Sequence, residues 1–514
     1  MDRSELKELL RTSLTGRISG IETFNQFTEN KKSLVFKLYS NIIAGKINTD
    51  AEARAELYGK NYSGKSYDVL KRRFKEKLYT NVLFVQPRDK NTKSYAWNAY
   101  FVHKHYVVGK VLLMATARSA GRLILQKVLK RALLFEITEI AMLAALKLKR
   151  EAAVIGDRKL HLKYSQLFQY TLDTLKAETD AEEKYEELFM YFSKSYKARP
   201  ELIPQAKEAF AYIDKLKNAF GTFVLQQTSF QASVFYSTLC NDYKSTLKTC
   251  IAFEQYLLSR PAFYSQVRHG HIIINKLNCY LYLGKYSAGL AEAENGLKLY
   301  ESKEGNWLVL QEIHFLLAMR AGNYSLAASI FIAVADMQKR KNIDERQKEM
   351  WRIFNGYLWF CTAQNNMDRE TEKTSFPKTF NMAKLMNETA VYSKDKEGIN
   401  LSLGILQLCL LLQNNNPAKA IDKIEQLKIY MYRYISRKDA VREHVFLKMI
   451  LLLQKYNFHA PLVEKKSEKL LIELARVKNL NTIYTKAHIE VLTYQKLWKI
   501  ILNILYKNEA DLIT

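Results

Sequence analysis

Four stretches of this chain follow one plan: LCNDYKSTLKTCIAF from Leu239, LYLGKYSAGLAEAENGL from Leu281, MRAGNYSLAASIFIAV from Met319 and LLQNNNPAKAIDKIEQL from Leu411. Each is an apolar helix end, a Gly or Asn turn, an aromatic residue or Pro, then a helix with a small residue three positions on. Anchored on Tyr243, Tyr286, Tyr324 and Pro417, the units are spaced by 43, 38 and 93 residues, the last wide enough for two units. A recurrence near this period marks an array of helical hairpins.

The rest of the composition agrees. A chain of 514 residues and 59.9 kDa is either several domains or one extended repeat array. Seven prolines and 18 glycines are too few to punctuate a turn-rich β architecture, and a 48% hydrophobic content excludes a disordered chain. The fold class is all-α. The organisation reads as a basic helical region over residues 1–95, weaker hairpins over 96–224 and the clearest repeats over 225–514.

Within the repeats, Gly322, Tyr324, Ala327, Phe331 and Val334, and again Gly284, Tyr286, Gly289, Ala293 and Gly296, place a turn, an aromatic and a row of small or apolar residues at helical intervals. Small residues let two helices of a hairpin cross closely, and Leu239, Tyr280 and Leu411 supply bulk on the facing helices. This pattern resembles the tetratricopeptide repeat over residues 225–430, with weaker hairpins extending it through 162–193 and 448–505.

The resemblance implies a right-handed α–α superhelix, a solenoid whose concave groove binds a peptide or protein partner without catalysis. Repeat alignment turns His271, Asn278 and Tyr282 toward the concave side, and the next unit adds Glu312 and Arg320. In the family, an Asn and basic residues of that helix clamp a peptide carboxylate. Asn278 fits such a place, whereas Ile274 stands where Lys is usual.

A formal charge of +27 favours acidic partners. The surplus is concentrated near the start: residues 1–150 hold 29 Lys and Arg against 13 Asp and Glu. There the sequence outlines a helix-turn-helix, with a short helix over Ala51 to Tyr58, a turn, and a second helix over Ser66 to Tyr79. Tyr67, Leu70, Phe74, Leu78 and Tyr79 share one stripe of that second helix, and Lys71, Arg72, Lys75 and Lys77 spread over the rest. Lys71, Arg72 and Lys75 could meet nucleic-acid phosphates, with Lys65 near the groove. A helix-turn-helix followed by such repeats is similar in layout to peptide-sensing transcription regulators, so a DNA-binding regulator is the rival to an interaction scaffold.

Gly59 to Ser66 reads GKNYSGKS and satisfies the phosphate-loop pattern, but the preceding AEARAELY is helix-forming where that motif needs a buried strand. Nucleotide binding is therefore the third reading. His103 and His105, like His269 and His271, are i and i+2 pairs that point to different helix faces, so no metal site is expected. No nucleophile motif or cofactor fingerprint is visible. The acidic run Glu178 to Glu187 reads as a solvated helix face near an N-terminus, and residues 364–379 read as a long loop.

Five cysteines without a CxxC pair point to a reducing compartment. The start, MDRSELKELLRTSLTG, reads as an amphipathic charged helix rather than a secretory signal. Apolar runs such as Ile405 to Leu412 are far shorter than the roughly 18 residues a membrane span needs. A cytoplasmic chain without membrane insertion is expected.

Overall fold

One turn, used repeatedly, builds most of the molecule. Thr116, Glu136, Gly156, Asn241, Gly284, Gly322 and Asn415 all have left-handed backbone, with φ between 48° and 81°. In each case the next residue's N–H donates to the carbonyl five residues back, at 2.8 to 3.1 Å, as Asn323 does to Ala318. This is a Schellman closure, which satisfies the last carbonyls of one helix. The following residue then opens the next helix. At Asp157, Asp242, Asn323 and Asn416 the residue that closes the old helix also caps the new one through its side chain. A left-handed Gly or Asn followed by Asp or Asn is thus the local code for a hairpin.

The structure is a computed structural model that describes residues 33–44, 46–47, 49–59, 64–82, 93–194, 199–300, 306–340, 345–364, 399–435, 441–476 and 490–513. The amphipathic reading of residues 1–16, positions 60–63 of the phosphate-loop match and the loop from residue 365 onward lie outside them. Among the described residues there are twenty α-helices and no strand, and sequence neighbours pack on one another along the chain. The chain divides into two compact units, the first covering Met1–Ala177 with Arg260–Phe263 and the second Glu178–Ser259 with Tyr264–Thr514.

In the first unit, α1 (Leu34–Ile43), α2 (Asp50–Tyr58) and α3 (Gly64–Val82) share a small core of Leu38, Ile47, Ala53, Tyr67, Leu70, Phe74 and Leu78. Four of the five stripe residues expected on α3 are in this core, and Tyr79 is exposed. α2 starts with a reciprocal capping box between Thr49 and Glu52. Next come α4 (Tyr95–Met114), α5 (Arg118–Leu134), α6 (Thr138–Val154) and the first half of α7 (Arg158–Lys194) around Val102, Leu125, Val128, Ala141, Ala144 and Leu148. The segment Arg260–Phe263 belongs here as well: Tyr95 N–H donates to the Ala262 carbonyl at 2.7 Å, and Arg260 pairs with Glu136.

The second unit starts in α7 and runs through α8 (Arg199–Phe220), α9 (Phe223–Leu239), α10 (Tyr243–Ser259), α11 (Gln266–Tyr282), α12 (Tyr286–Leu297), α13 (Trp307–Ala321) and α14 (Tyr324–Arg340). It continues with α15 (Glu345–Gln364), α16 (Ile399–Gln413), α17 (Pro417–Tyr434), α18 (Val441–Lys455), α19 (Ala460–Arg476) and α20 (Tyr494–Ile513). All four anchors, Tyr243, Tyr286, Tyr324 and Pro417, are the first residues of helices. The small positions sit at tight crossings: Ala293, Ala327 and Ala420 are fully buried. A methyl placed on Gly289 would stand 2.7 Å from a Leu317 methyl and 3.1 Å from the Tyr280 Cβ.

Two expectations change. The acidic run Glu178 to Glu187 is not near a helix start, because α7 begins twenty residues earlier and continues without a break. Glu178 in it is buried. Among the described residues, no helix is long and apolar enough to cross a membrane.

Candidate functional site

Helices of the second unit are of two kinds. α9, α11, α13, α16 and α18 are buried nearly all round, whereas α10, α12, α17 and α19 each keep an exposed face. The polar side chains of the buried helices must therefore find partners inside the protein.

Arg320, near the end of α13, donates through Nη2 to the backbone carbonyl of Glu490 at 2.5 Å. Arg442, at the start of α18, donates to the Glu490 carboxylate at 2.8 Å, to the Leu474 carbonyl at 3.0 Å and to Gln495 at 3.2 Å. The Glu490 carboxylate also accepts the Tyr494 N–H at 2.7 Å, which satisfies a donor at the start of α20. Lys496 reaches back to the Met319 carbonyl, and the Phe446 ring stacks on Tyr494 at 4.3 Å. Glu490, Val491 and Leu492 precede the helix in non-helical conformation and are all buried. Two arginines from two helices thus hold Glu490, through its carboxylate and its backbone carbonyl. Both ions of the Arg442–Glu490 pair are almost fully withdrawn from water, so each depends on the other.

A second polar seam ties α10, α11 and α12. Lys276 lies between Glu254 and Glu292, 2.7 Å from each, and His269 Nε2 meets the other Glu254 oxygen at 2.8 Å. Burial opposes charge on Glu254, but its hydrogen bonds from His269 and Lys276 prevail and hold the carboxyl below its ordinary range. Burial likewise works against charge on Lys276, and the two carboxylates outweigh it and raise the ammonium's pKa. On α13, burial pushes the His314 imidazole down to about 4. It is neutral at pH 7, with only Gln311 near its Nδ1, and among the described residues its Nε2 has no hydrogen-bond partner.

Of the expected groove residues, Arg320 is the one bonded to Glu490. Asn278 is buried and donates to the Ile274 carbonyl of its own helix. Tyr282 stacks on Tyr243 at 4.6 Å, His271 is exposed, and Glu312 is half-buried on α13. His269 and His271 lie on different faces of α11, the first paired and the second in solvent. Arg442 and Glu490 were invisible as a pair in sequence, because two single charges 48 residues apart carry no spacing signal.

On α3, Lys65, Arg72 and Arg73 are exposed, together with Val69 and Glu76, and Lys75 is half-buried. Lys71 instead turns to α2 and meets both Asp50 oxygens, one of which, Oδ1, also accepts the Tyr67 hydroxyl. Burial opposes the Asp50 charge, and the Lys71 and Tyr67 hydrogen bonds overcome it and lower its pKa. Lys71 is therefore engaged within the fold. Gly59 ends α2 with φ 81°, and Gly64 already belongs to α3, so a helix stands where a phosphate-binding loop requires a strand. No protein-family model, no curated protein and no solved structure matches this chain.

Proposed function

We propose that this chain is a non-enzymatic, cytoplasmic interaction scaffold. Its residues 225–514 stack as a tetratricopeptide-like right-handed solenoid, and its inner helices take an extended acidic segment of a protein partner. The supporting observation is the hold of Arg320 and Arg442 on Glu490 and its neighbours. Paired arginines that grip a carboxylate and a main-chain carbonyl read an extended acidic peptide by general chemistry, whichever chain supplies it. The net charge of +27 speeds encounter with acidic partners.

The test uses a fluorescent peptide with the sequence of residues 490–498, EVLTYQKLW, and the full chain. Glu490→Ala weakens the internal occupant, so this variant should bind the peptide more tightly than the parent chain. A peptide with Lys in place of its Glu should not bind. If the peptide binds neither chain, the scaffold reading through this wall fails.

The exposed row of Lys65, Arg72 and Arg73 on α3 favours a second reading, a DNA-binding regulator. Duplex retention that falls steeply with salt, and that is lost in the Arg72→Ala, Arg73→Ala double variant, would establish it. Retention unaffected by that variant would remove it.

A further inference from the structure

α4 carries a second interaction face, independent of the inner wall. Asn98, Val102 and Gly109 form its buried side. On the opposite side Trp97, Tyr100, Lys104, Val107, Val111 and Met114 follow one another at intervals of 3, 4, 3, 4 and 3 residues. That alternation is the a/d repeat of a coiled coil, sustained over the whole helix, a length of about 25 Å. Val107 and Val111 are 55% exposed and Met114 is 77% exposed. Trp97 and Tyr100 have their rings 6.0 Å apart, and the Lys104 ammonium lies 5.5 Å from the Tyr100 ring centre. A helix this apolar on both sides is ordinarily covered on both.

Charge indicates what covers it. Residues 90–135, which include all of α4 and α5, contain nine Lys or Arg and no Asp or Glu. His103 and Lys110 flank the seam at the positions that set partner choice in helix pairing, and Lys104 stands within it. Two copies meeting through this face would bring cations against cations, which selects against self-pairing. Val108, 40% exposed, borders the seam on its other side, and Lys104 interrupts the apolar surface within it, whereas helices that lie on lipid present a continuous apolar arc.

We propose that the outward face of α4 is a docking seam for an acidic amphipathic helix of a partner protein. The partner places apolar residues against Tyr100, Val107, Val111 and Met114, and its flanking carboxylates meet His103, Lys104 and Lys110.

The test uses the full-length chain and two designed three-heptad peptides with Leu at a and d, one with Glu and one with Lys at e and g. Fluorescence anisotropy should show the Glu peptide bound and the Lys peptide unbound, with binding weakened by salt. The Val107→Ser, Val111→Ser variant should weaken the Glu peptide by about tenfold or more, with an unchanged melting temperature because both side chains already face solvent. The Lys104→Glu, Lys110→Glu variant should reverse the preference and take the Lys peptide. Equal binding of both peptides overturns the proposal. So does capture by phosphatidylserine vesicles without peptide binding, and so does self-association abolished by the serine variant.

Discussion

α13 and α4 each carry apolar residues on opposite sides, yet their surroundings differ. Eleven of the fifteen residues of α13 are buried, and its polar members Gln311, His314 and Arg320 are enclosed with them. Only three of the twenty residues of α4 are buried, and Val107, Val108, Val111 and Met114 face water. Composition therefore indicates that a helix belongs in an interior without indicating whose. The neighbours of α13 come from its own chain, through α12, α14 and the stretch that Arg320 holds. Among the described residues, α4 packs mainly on α5 and α6, and its first residue also meets Ala262 and Phe263. The difference separates residues that hold this chain together from residues available to another.

The sharpest way to break that contrast is to empty one half of the buried pair. Arg442→Ala leaves Glu490 withdrawn from water without its counter-charge and should cost about 3–5 kcal/mol in urea unfolding of the second unit. Replacing both with well-packed apolar residues, Arg442→Met with Glu490→Leu, should recover most of that loss. If the single variant unfolds like the parent, the pair does not organise the inner wall.

Matched truncations come next. Leu317→Ala in α13 should cost about 2–5 kcal/mol. Val111→Ala in α4 should stay within about 0.5 kcal/mol. Equal losses in thermal melts would mean that α4 is not a surface helix in solution.

Acid should act on α13 and spare α4. His314 is held neutral with its pKa lowered to about 4 from an ordinary 6.5. Between those values the unfolded chain binds the proton and the folded chain does not. Its contribution is therefore complete above pH 6.5 and is lost as pH falls toward 4, amounting to about 3 kcal/mol. His314→Gln should flatten the stability profile in that window, and an unchanged slope would show that the imidazole protonates within the fold.

The smallest effect is in the turns. Thr116 is β-branched and sits in left-handed backbone, φ 65°, where Gly322 occupies the equivalent place. Thr116→Gly should stabilise by about 1 kcal/mol and Gly322→Ala should destabilise by a similar amount. Melting curves of the two variants moving in the same direction would contradict a shared turn geometry.

Much of the fold could be read from residues. The Gly-Asn and Asn-Asn signals fixed the hairpin corners because the same two positions close one helix and cap the next, a strictly local requirement. The corners at Thr116 and Glu136 use neither Gly nor Asn, so the α4–α5–α6 hairpins read as weaker than they are. Ser33 caps α1 and the apolar residues of that helix fall on one stripe, so it was legible in the sequence as well. The site was less legible. Arg320 is buried, and its partner is 170 residues away and is a main-chain carbonyl, which any residue supplies, so no residue type announces it. Asn278, placed by repeat alignment, donates to a carbonyl of its own helix, and Lys71, placed by its position on α3, pairs with Asp50, contacts that neither placement carries.

The corners at Thr116, Glu136 and Gly156 fall at twenty-residue intervals, and each reverses the direction of the chain. Inserting one such block would deliver everything downstream to the wrong end of the bundle, whereas inserting two would restore the polarity. Growth or shrinkage of this protein by duplication is thereby restricted to even numbers of helices, a parity rule imposed by a single backbone conformation.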